Sequence, residues 1–74
     1  MITKKIIEIM EEVLKDKIES STLQSNCENW DSLNHLNLII RLESDFGISF
    51  EPEEIGVMTS VETIKLLVRD KLDV

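Results

Sequence analysis

The sequence predicts an all-α fold, a small bundle of three long helices and one short helix with a long loop between helices 1 and 2. The chain of 74 residues is about half the usual length of one domain, so we expect a single domain over residues 1–74 with one small core. Hydrophobic residues make up 42% of the chain, but aromatic residues only 4%, which predicts an aliphatic core. Apolar side chains also recur at helical spacing in three separate segments.

The first segment predicts an amphipathic helix over residues 3–17, with Thr3 as its N-cap. Charged residues occupy the side of this helix opposite its apolar stripe. The stripe follows the i, i+3, i+4, i+7, i+8 pattern and consists of Ile6, Ile9, Met10, Val13 and Leu14.

Residues 18–30 lack helical periodicity and predict a loop of about a dozen residues, long enough in so small a domain to suggest a working part. We expect Ile18, Leu23 and Trp30 to anchor this loop to the core. Cys27, the only cysteine, cannot form an internal disulfide, and we expect it to be buried as a small apolar residue.

A second helix is expected to begin at Asp31-Ser32, because Asp31 can cap its free N–H groups, and to be stopped by Gly47. Its apolar residues occupy more than one side, so the core alone cannot cover all of them. We expect other elements to cover the side that carries Leu38, Ile39 and Leu42.

The segment 46–50 could pass for a strand, but it has no partner strand, and we interpret it as an ordered loop with Ile48 and Phe50 buried. Pro52 predicts the first turn of a short helix that ends around Met58.

The last helix is predicted from a capping box in which Thr59 caps and Glu62 reaches back. Its apolar residues continue at helical spacing: Val61, Ile64, Leu67, Val68 and Leu72.

The net charge of −7 is confined to one part of the chain. Eight acidic residues and one basic residue, Arg41, lie between Glu28 and Glu62, whereas the other residues cancel. This segment predicts an acidic surface that attracts basic partner proteins, although from the charge alone we favour an acidic surface that only maintains solubility. The charge argues against nucleic acid as a partner. The apolar runs are too short for membrane insertion, and no signal peptide is recognisable, so we expect a cytoplasmic protein.

The stretch Trp30-Asp31-Ser32-Leu33 lies where the long loop meets the second helix. Its Asp-Ser-Leu triplet resembles the signature of the acyl carrier protein family. A triplet alone is a weak match, but the resemblance extends over nearly the whole chain and agrees with its length, charge and helix pattern. The further matching segments are Leu42-Glu43-x-x-Phe46-Gly47-Ile48, Pro52-x-x-Ile55 and Thr59-Ser60-Val61.

The resemblance implies a covalent cofactor on Ser32. In the family, a phosphopantetheinyl transferase moves 4′-phosphopantetheine from coenzyme A to the serine at this position and releases adenosine 3′,5′-bisphosphate. It also implies that Asp31 contacts the magnesium ion of the transferase. The cofactor thiol would then carry an acyl or aminoacyl group as a thioester, and the protein itself would not be an enzyme. A helix N-terminus suits such a site, because its N–H groups and dipole favour the negative charge of a phosphodiester.

The resemblance further implies that partner enzymes bind the second helix at Leu33, Leu36 and Ile40, with Glu43 as a charged contact. The expected partners are the transferase, an acyl- or aminoacyl-loading ligase and acyl-processing enzymes, and we expect the carrier to be a monomer. The core could also open to shelter a fatty chain, although for each candidate lining residue taken singly we favour ordinary core packing. These residues are Leu42, Phe46, Ile55, Met58 and Ile64.

Two alternatives remain. The chain could be an unmodified acidic helical adaptor that binds a basic partner through the same apolar residues. It could also be a small serine hydrolase, since His35 follows Ser32 by three positions. No Gly-x-Ser-x-Gly motif accompanies them, so we expect no catalytic pair and place His35 on the partner-facing surface.

Three residues depart from the pattern of fatty-acid synthesis carriers. Asn34 and Asn37 occupy positions where that group commonly has acids, and Trp30 is not its usual residue before the motif. We therefore expect a specialised carrier for a secondary metabolite, surface polysaccharide or aminoacyl pathway.

Overall fold

The computed structural model describes residues 2–72 and confirms the all-α fold. Within this range the helices are α1 (Ile2–Leu14), α2 (Ser32–Phe46), α3 (Pro52–Val57) and α4 (Val61–Leu72). The long α1–α2 loop contains a short 3-10 turn, Gln24–Asn26. Helix α1 packs against both α2 and α4. No helix within residues 2–72 is long and apolar enough to cross a bilayer.

The core is aliphatic, as the composition predicts. Leu38, Ile39 and Leu42 are all buried, which confirms that other elements cover the second side of α2. Burial of one such side chain contributes about 1.5–3 kcal/mol relative to its exposure. The most deeply buried side chains come from α1, α2, α4 and the α3–α4 junction: Ile6, Met10, Leu14, Leu38, Leu42, Met58, Val61, Ile64 and Val68.

Helix α1 begins and ends earlier than the sequence predicts. Thr3 lies inside the helix and not at its N-cap, and the helix ends before Lys15. Lys15 has a left-handed backbone (φ 54°), which residues other than Gly seldom adopt. Beyond it, the Glu11 carboxylate accepts a hydrogen bond of 3.1 Å from the N–H of the buried Ile18. Tertiary packing of Ile18 therefore overrides the helical propensity of residues 15–17.

The α1–α2 loop is anchored by apolar side chains and by its backbone. Ile18, Cys27 and Trp30 are buried, as predicted. The prediction for Leu23 is wrong, because its side chain is 44% exposed. Leu23 instead forms an isolated antiparallel bridge with Ser60, flanked by backbone hydrogen bonds of 2.8 and 3.1 Å. These bonds attach the loop to the start of α4 without burial of the leucine side chain.

Gly47 ends α2, as predicted, in a left-handed conformation (φ 66°). Its N–H donates to the Glu43 carbonyl at 2.9 Å, and the Glu43 carboxylate accepts a hydrogen bond of 2.9 Å from the N–H of Phe50. The segment after Gly47 is an ordered loop with Phe50 buried. Ile48 is only half-buried, so the prediction of its full burial is wrong.

Helix α3 begins at Pro52 and is capped by Met58, in agreement with the sequence. The Glu54 carboxylate accepts a hydrogen bond of 2.7 Å from the Glu51 N–H and pairs with the Lys71 ammonium group at 2.7 Å. This side chain therefore connects α3 to the last turn of α4.

The residue that caps α4 is Ser60, one position later than predicted. Its hydroxyl oxygen accepts a hydrogen bond of 3.0 Å from the Thr63 N–H. The carbonyl of Thr59 accepts a hydrogen bond from the backbone of the α1–α2 loop, so Thr59 belongs to the bridge and not to the cap. Glu62 does not close a capping box with Thr59, and its carboxylate lies 3.2 Å from the Lys65 ammonium group.

Candidate functional site

Ser32 is the first residue of α2 and is exposed. The preceding residue, Asp31, has an extended backbone, and its carboxylate accepts a hydrogen bond of 2.9 Å from the Asn34 N–H, which confirms the predicted N-cap. The Ser32 hydroxyl makes no hydrogen bond with any residue between positions 2 and 72. The structure thus presents an exposed hydroxyl at a capped helix N-terminus.

The first N–H groups of α2 remain available to a ligand. Asp31 binds the Asn34 N–H through its side chain and the His35 N–H through its carbonyl, at 2.9 and 2.8 Å. Among the described residues, the N–H groups of Ser32 and Leu33 have no acceptor. Such N–H groups and the positive end of the helix dipole favour an anionic group attached at Ser32.

The segment that precedes Ser32 is held by side-chain amides. Asn34 Nδ2 donates to the Asn29 carbonyl at 2.8 Å, and Gln24 Nε2 donates to the Trp30 carbonyl at 3.1 Å. A carboxylate in place of the Asn34 amide could not donate to a carbonyl. In the sequence, Asn34 is notable only because it stands where an acid is common. The hydrogen bond to the Asn29 carbonyl gives a structural reason for an amide at this position.

His35 does not lie on a free partner-facing surface, so that prediction is wrong. The ring is half-buried between the loop and α3. Its Nδ1 lies 2.9 Å from the Trp30 Nε1, and its Nε2 lies 2.9 Å from the Ile55 carbonyl oxygen. Because both ring nitrogens are engaged in these bonds, neither accepts the proton of Ser32.

Three apolar side chains of α2 are exposed to solvent. Leu33 is 69% exposed, Leu36 is 53% exposed and Ile40 is 63% exposed. Their i, i+3, i+7 spacing places them along one side of α2, directly after Ser32. They form an exposed apolar strip of the kind that a partner protein can cover.

Glu43 continues the spacing of this strip but is half-buried. Its carboxylate binds the Phe50 N–H, so part of its hydrogen-bonding capacity is used within the chain. Arg41, the only basic residue between Glu28 and Glu62, pairs with carboxylates of Glu12 and Asp45 at 2.9 and 3.4 Å.

The candidate residues for a sheltering core are packed in this structure. Leu42, Met58 and Ile64 are fully buried, and Phe46 and Ile55 pack against the core while half-buried. Two surface grooves lie elsewhere, one on α1 and one where the loop meets the residue before Ser60. Neither groove is lined by Ser32 or by any residue of α2 or α3.

Comparison with protein-family models and with curated proteins finds no match for this chain.

Sequence reasoning identified Asp31, Ser32 and the apolar strip but missed the groups that hold them. The hydrogen bonds made by Gln24 and His35 join residues five to twenty positions apart, and no sequence periodicity marks them. A local signal existed only for Asn34, which stands three residues after the N-cap, where side chains often bond back to the preceding turn.

Proposed function

We propose that this protein is a carrier of the acyl carrier type, which bears 4′-phosphopantetheine on Ser32 and delivers acyl or aminoacyl groups to partner enzymes. The observation that carries the proposal is the exposed Ser32 hydroxyl, free of hydrogen bonds to residues 2–72, at the N-terminus of a capped helix. A hydroxyl in this position is accessible to the active site of a modifying enzyme. The resemblance of the sequence supplies the identity of the modification.

The residues around Ser32 fit a phosphodiester. The N–H groups of Ser32 and Leu33, which have no acceptor among residues 2–72, can donate to phosphate oxygens, and the helix dipole favours the negative charge. The cofactor, when bound, supplies the thiol that holds the cargo. The chain itself provides an exposed attachment point, a segment fixed by Asn34 and Gln24, and a surface for partners.

The strip formed by Leu33, Leu36 and Ile40 is the proposed contact surface for the transferase, the loading ligase and the acyl-processing enzymes. Its three side chains are more than half exposed, and their burial by a partner would remove apolar area from water. The acidic segment from Glu28 to Glu62 favours partners with basic surfaces. We propose that the carrier acts as a monomer in the cytoplasm, where coenzyme A is available to the transferase.

The two asparagines on α2 support a specialised pathway over general fatty-acid synthesis. Asn37 Nδ2 lies 3.4 Å from Asn34 Oδ1, and Asn34 in turn donates to the Asn29 carbonyl. Amides at these positions reduce the negative charge that a partner would meet beside the strip. Enzymes that select their carrier by charge would therefore distinguish this chain from a more acidic one.

Incubation with coenzyme A and a broad-specificity phosphopantetheinyl transferase tests the modification. Intact-mass spectrometry is expected to show one added phosphopantetheine group on the wild type and on Ser44→Ala, a matched control because Ser44 is exposed on the same helix. Ser32→Ala is expected to show no addition. An unmodified wild type would exclude the carrier function with that transferase, and modification of Ser32→Ala would exclude the site.

The wild type and Ser32→Ala also distinguish the proposed carrier from an unmodified adaptor. An adaptor needs no cofactor, so its partner binding would survive Ser32→Ala and would not depend on coenzyme A. A carrier is expected to pass an acyl group to its processing enzyme only after modification. Loss of transfer in Ser32→Ala, with the fold retained by circular dichroism, supports the carrier.

A further inference from the structure

His35 joins three parts of the molecule near Ser32. It belongs to the first turn of α2, it bonds the indole of Trp30 at the end of the loop, and it bonds the Ile55 carbonyl in α3. Both contacts are 2.9 Å. The Trp30 side chain is only 2% exposed, so its N–H has no ready access to water.

The partners of His35 determine its tautomer. An indole N–H can only donate and a carbonyl can only accept, so Nδ1 accepts from Trp30 while the Nε2–H donates to Ile55. Only a neutral imidazole meets both requirements. Loss of the acceptor would leave the buried indole N–H of Trp30 unpaired, which is the costly case for a hydrogen bond.

Helix α3 has few other connections to α2. The main helix contacts of the bundle are made by α1, with α2 and with α4. Among residues 2–72, the polar tie from α3 to α4 is the pair between Glu54 and Lys71. The hydrogen bond from His35 to Ile55 is thus a principal polar connection between α2 and α3.

Exposed apolar residues flank this connection on both helices. Leu33 lies two residues before His35 and is 69% exposed, and Val57 lies two residues after Ile55 and is 57% exposed. Leu33 and Val57 are thus exposed apolar side chains on the two helices that this hydrogen bond joins.

We propose that His35 is a positioning residue for the Ser32 site: it holds the segment that presents Ser32 in register with α3, so that Ser32 and the strip on α2 keep one fixed arrangement for a partner enzyme. This inference rests on the proposed carrier function. It differs from a purely structural role for His35, because it requires that binding of the partner weakens when the bridge is lost and the fold is kept.

The hydrogen bond can be observed directly. The chain has one Trp and one His, so the indole N–H and imidazole nitrogen resonances are assigned without ambiguity. A through-bond scalar coupling between Trp30 Nε1 and His35 Nδ1 is expected in the ¹⁵N-labelled protein at neutral pH. Its absence there would overturn the proposed bridge.

Transferase kinetics test the positioning role. His35→Phe keeps a ring but removes both bonds, Trp30→Phe removes the indole donor together with part of a buried ring, and His35→Gln keeps an acceptor and a donor. We expect Trp30→Phe, which removes one of the two bonds, to raise the KM for the carrier about fivefold, the factor that corresponds to one net hydrogen bond, and His35→Phe, which removes both, to raise it at least as much, with kcat unchanged. We expect His35→Gln to restore most of the wild-type KM.

The outcomes separate this inference from the proposed function. If the transferase does not modify the wild type, the carrier function fails. If it modifies the wild type, and folded His35→Phe has the wild-type KM, only the positioning role fails. If His35→Phe does not fold, Trp30→Phe decides in the same way, because it retains the imidazole and its bond to Ile55. A fall in kcat with an unchanged KM would also overturn the proposal.

Discussion

One carboxylate oxygen of Glu54 lies 2.7 Å from the Lys71 ammonium nitrogen and also accepts a hydrogen bond of 2.7 Å from the Glu51 N–H. The hydrogen bond from the Glu51 N–H, followed by that from Lys71, lowers the pKa of Glu54 below its ordinary value. The hydrogen bond to Glu54 raises the pKa of Lys71. Both side chains are less than one-quarter exposed, so solvent only partly screens the attraction between their charges. The pair connects α3 to the end of α4.

Acid is expected to weaken this connection. Because the pKa of Glu54 is lower in the folded chain than in the unfolded chain, its contribution to stability is present above the unfolded pKa and is lost as the pH falls through the folded pKa. We expect Glu54→Gln to reduce the free energy of unfolding at neutral pH and to flatten its decline towards acid pH. Urea unfolding at a series of pH values from neutral to acid measures both effects.

Glu53→Gln is the matched control, since Glu53 is exposed on the same helix. The charge change is identical, but none of the ion pairs among residues 2–72 includes Glu53. Identical pH dependence in the two variants would show that the Glu54–Lys71 pair does not stabilise the fold.

The cap of α4 can be assigned by a pair of alanine substitutions. Ser60→Ala removes the acceptor for the Thr63 N–H and is expected to lower the free energy of unfolding by about 1 kcal/mol. Thr59→Ala leaves that hydrogen bond intact and is expected to change the free energy of unfolding by less than about 0.5 kcal/mol, as at other surface positions. Chemical denaturation of both variants checks the assignment, and the opposite order would restore Thr59 as the cap.

The core and the exposed strip can be compared with one chemical change. Ile64→Val removes a methyl group from a side chain with no exposure and is expected to cost about 0.5–1.5 kcal/mol. Ile40→Val makes the same change at a side chain that is 63% exposed and is expected to cost less than about 0.5 kcal/mol. Equal destabilisation would mean that Ile40 is covered in solution by a second copy or another part of the chain.

Asp31 has two proposed roles that substitution can separate. Asn caps helices about as well as Asp, so Asp31→Asn is expected to keep the unfolding free energy within about 0.5 kcal/mol, whereas Asp31→Ala is expected to lower it by about 1 kcal/mol. If Asp31 also contacts the magnesium ion of the transferase, Asp31→Asn slows the modification of Ser32 despite the retained cap. A wild-type rate in Asp31→Asn would limit Asp31 to capping.

Predictions that depend on neighbouring residues agree with the structure. Asp31 reaches an N–H three residues away, Gly47 ends α2 because it adopts a left-handed conformation, and Pro52 starts α3. Helical spacing predicts that the apolar residues of α2 lie on more than one side, and the structure buries Leu38 and leaves Leu36 53% exposed. The position of Ser32 at a helix start follows from the same local signals.

Predictions that ignored distant contacts were wrong. Helix α1 ends before Lys15, because the chain departs from the helix there and buries Ile18. Ser60 and not Thr59 caps α4, because the Thr59 carbonyl accepts a hydrogen bond from the loop. Leu23 is attached through its backbone, which a hydrophobic pattern cannot reveal.

By itself, the sequence determined the helical order of this protein, its aliphatic core and the exposed serine at the start of α2, because each depends on residues within one or two turns. Only the tertiary structure decided what holds that serine in place. The sequence predicts that His35 lies on the surface. Folding instead places it between Trp30 and Ile55, where both of its ring nitrogens form hydrogen bonds. Contacts of this kind depend on packing between separate elements, and local pattern carries no information about them.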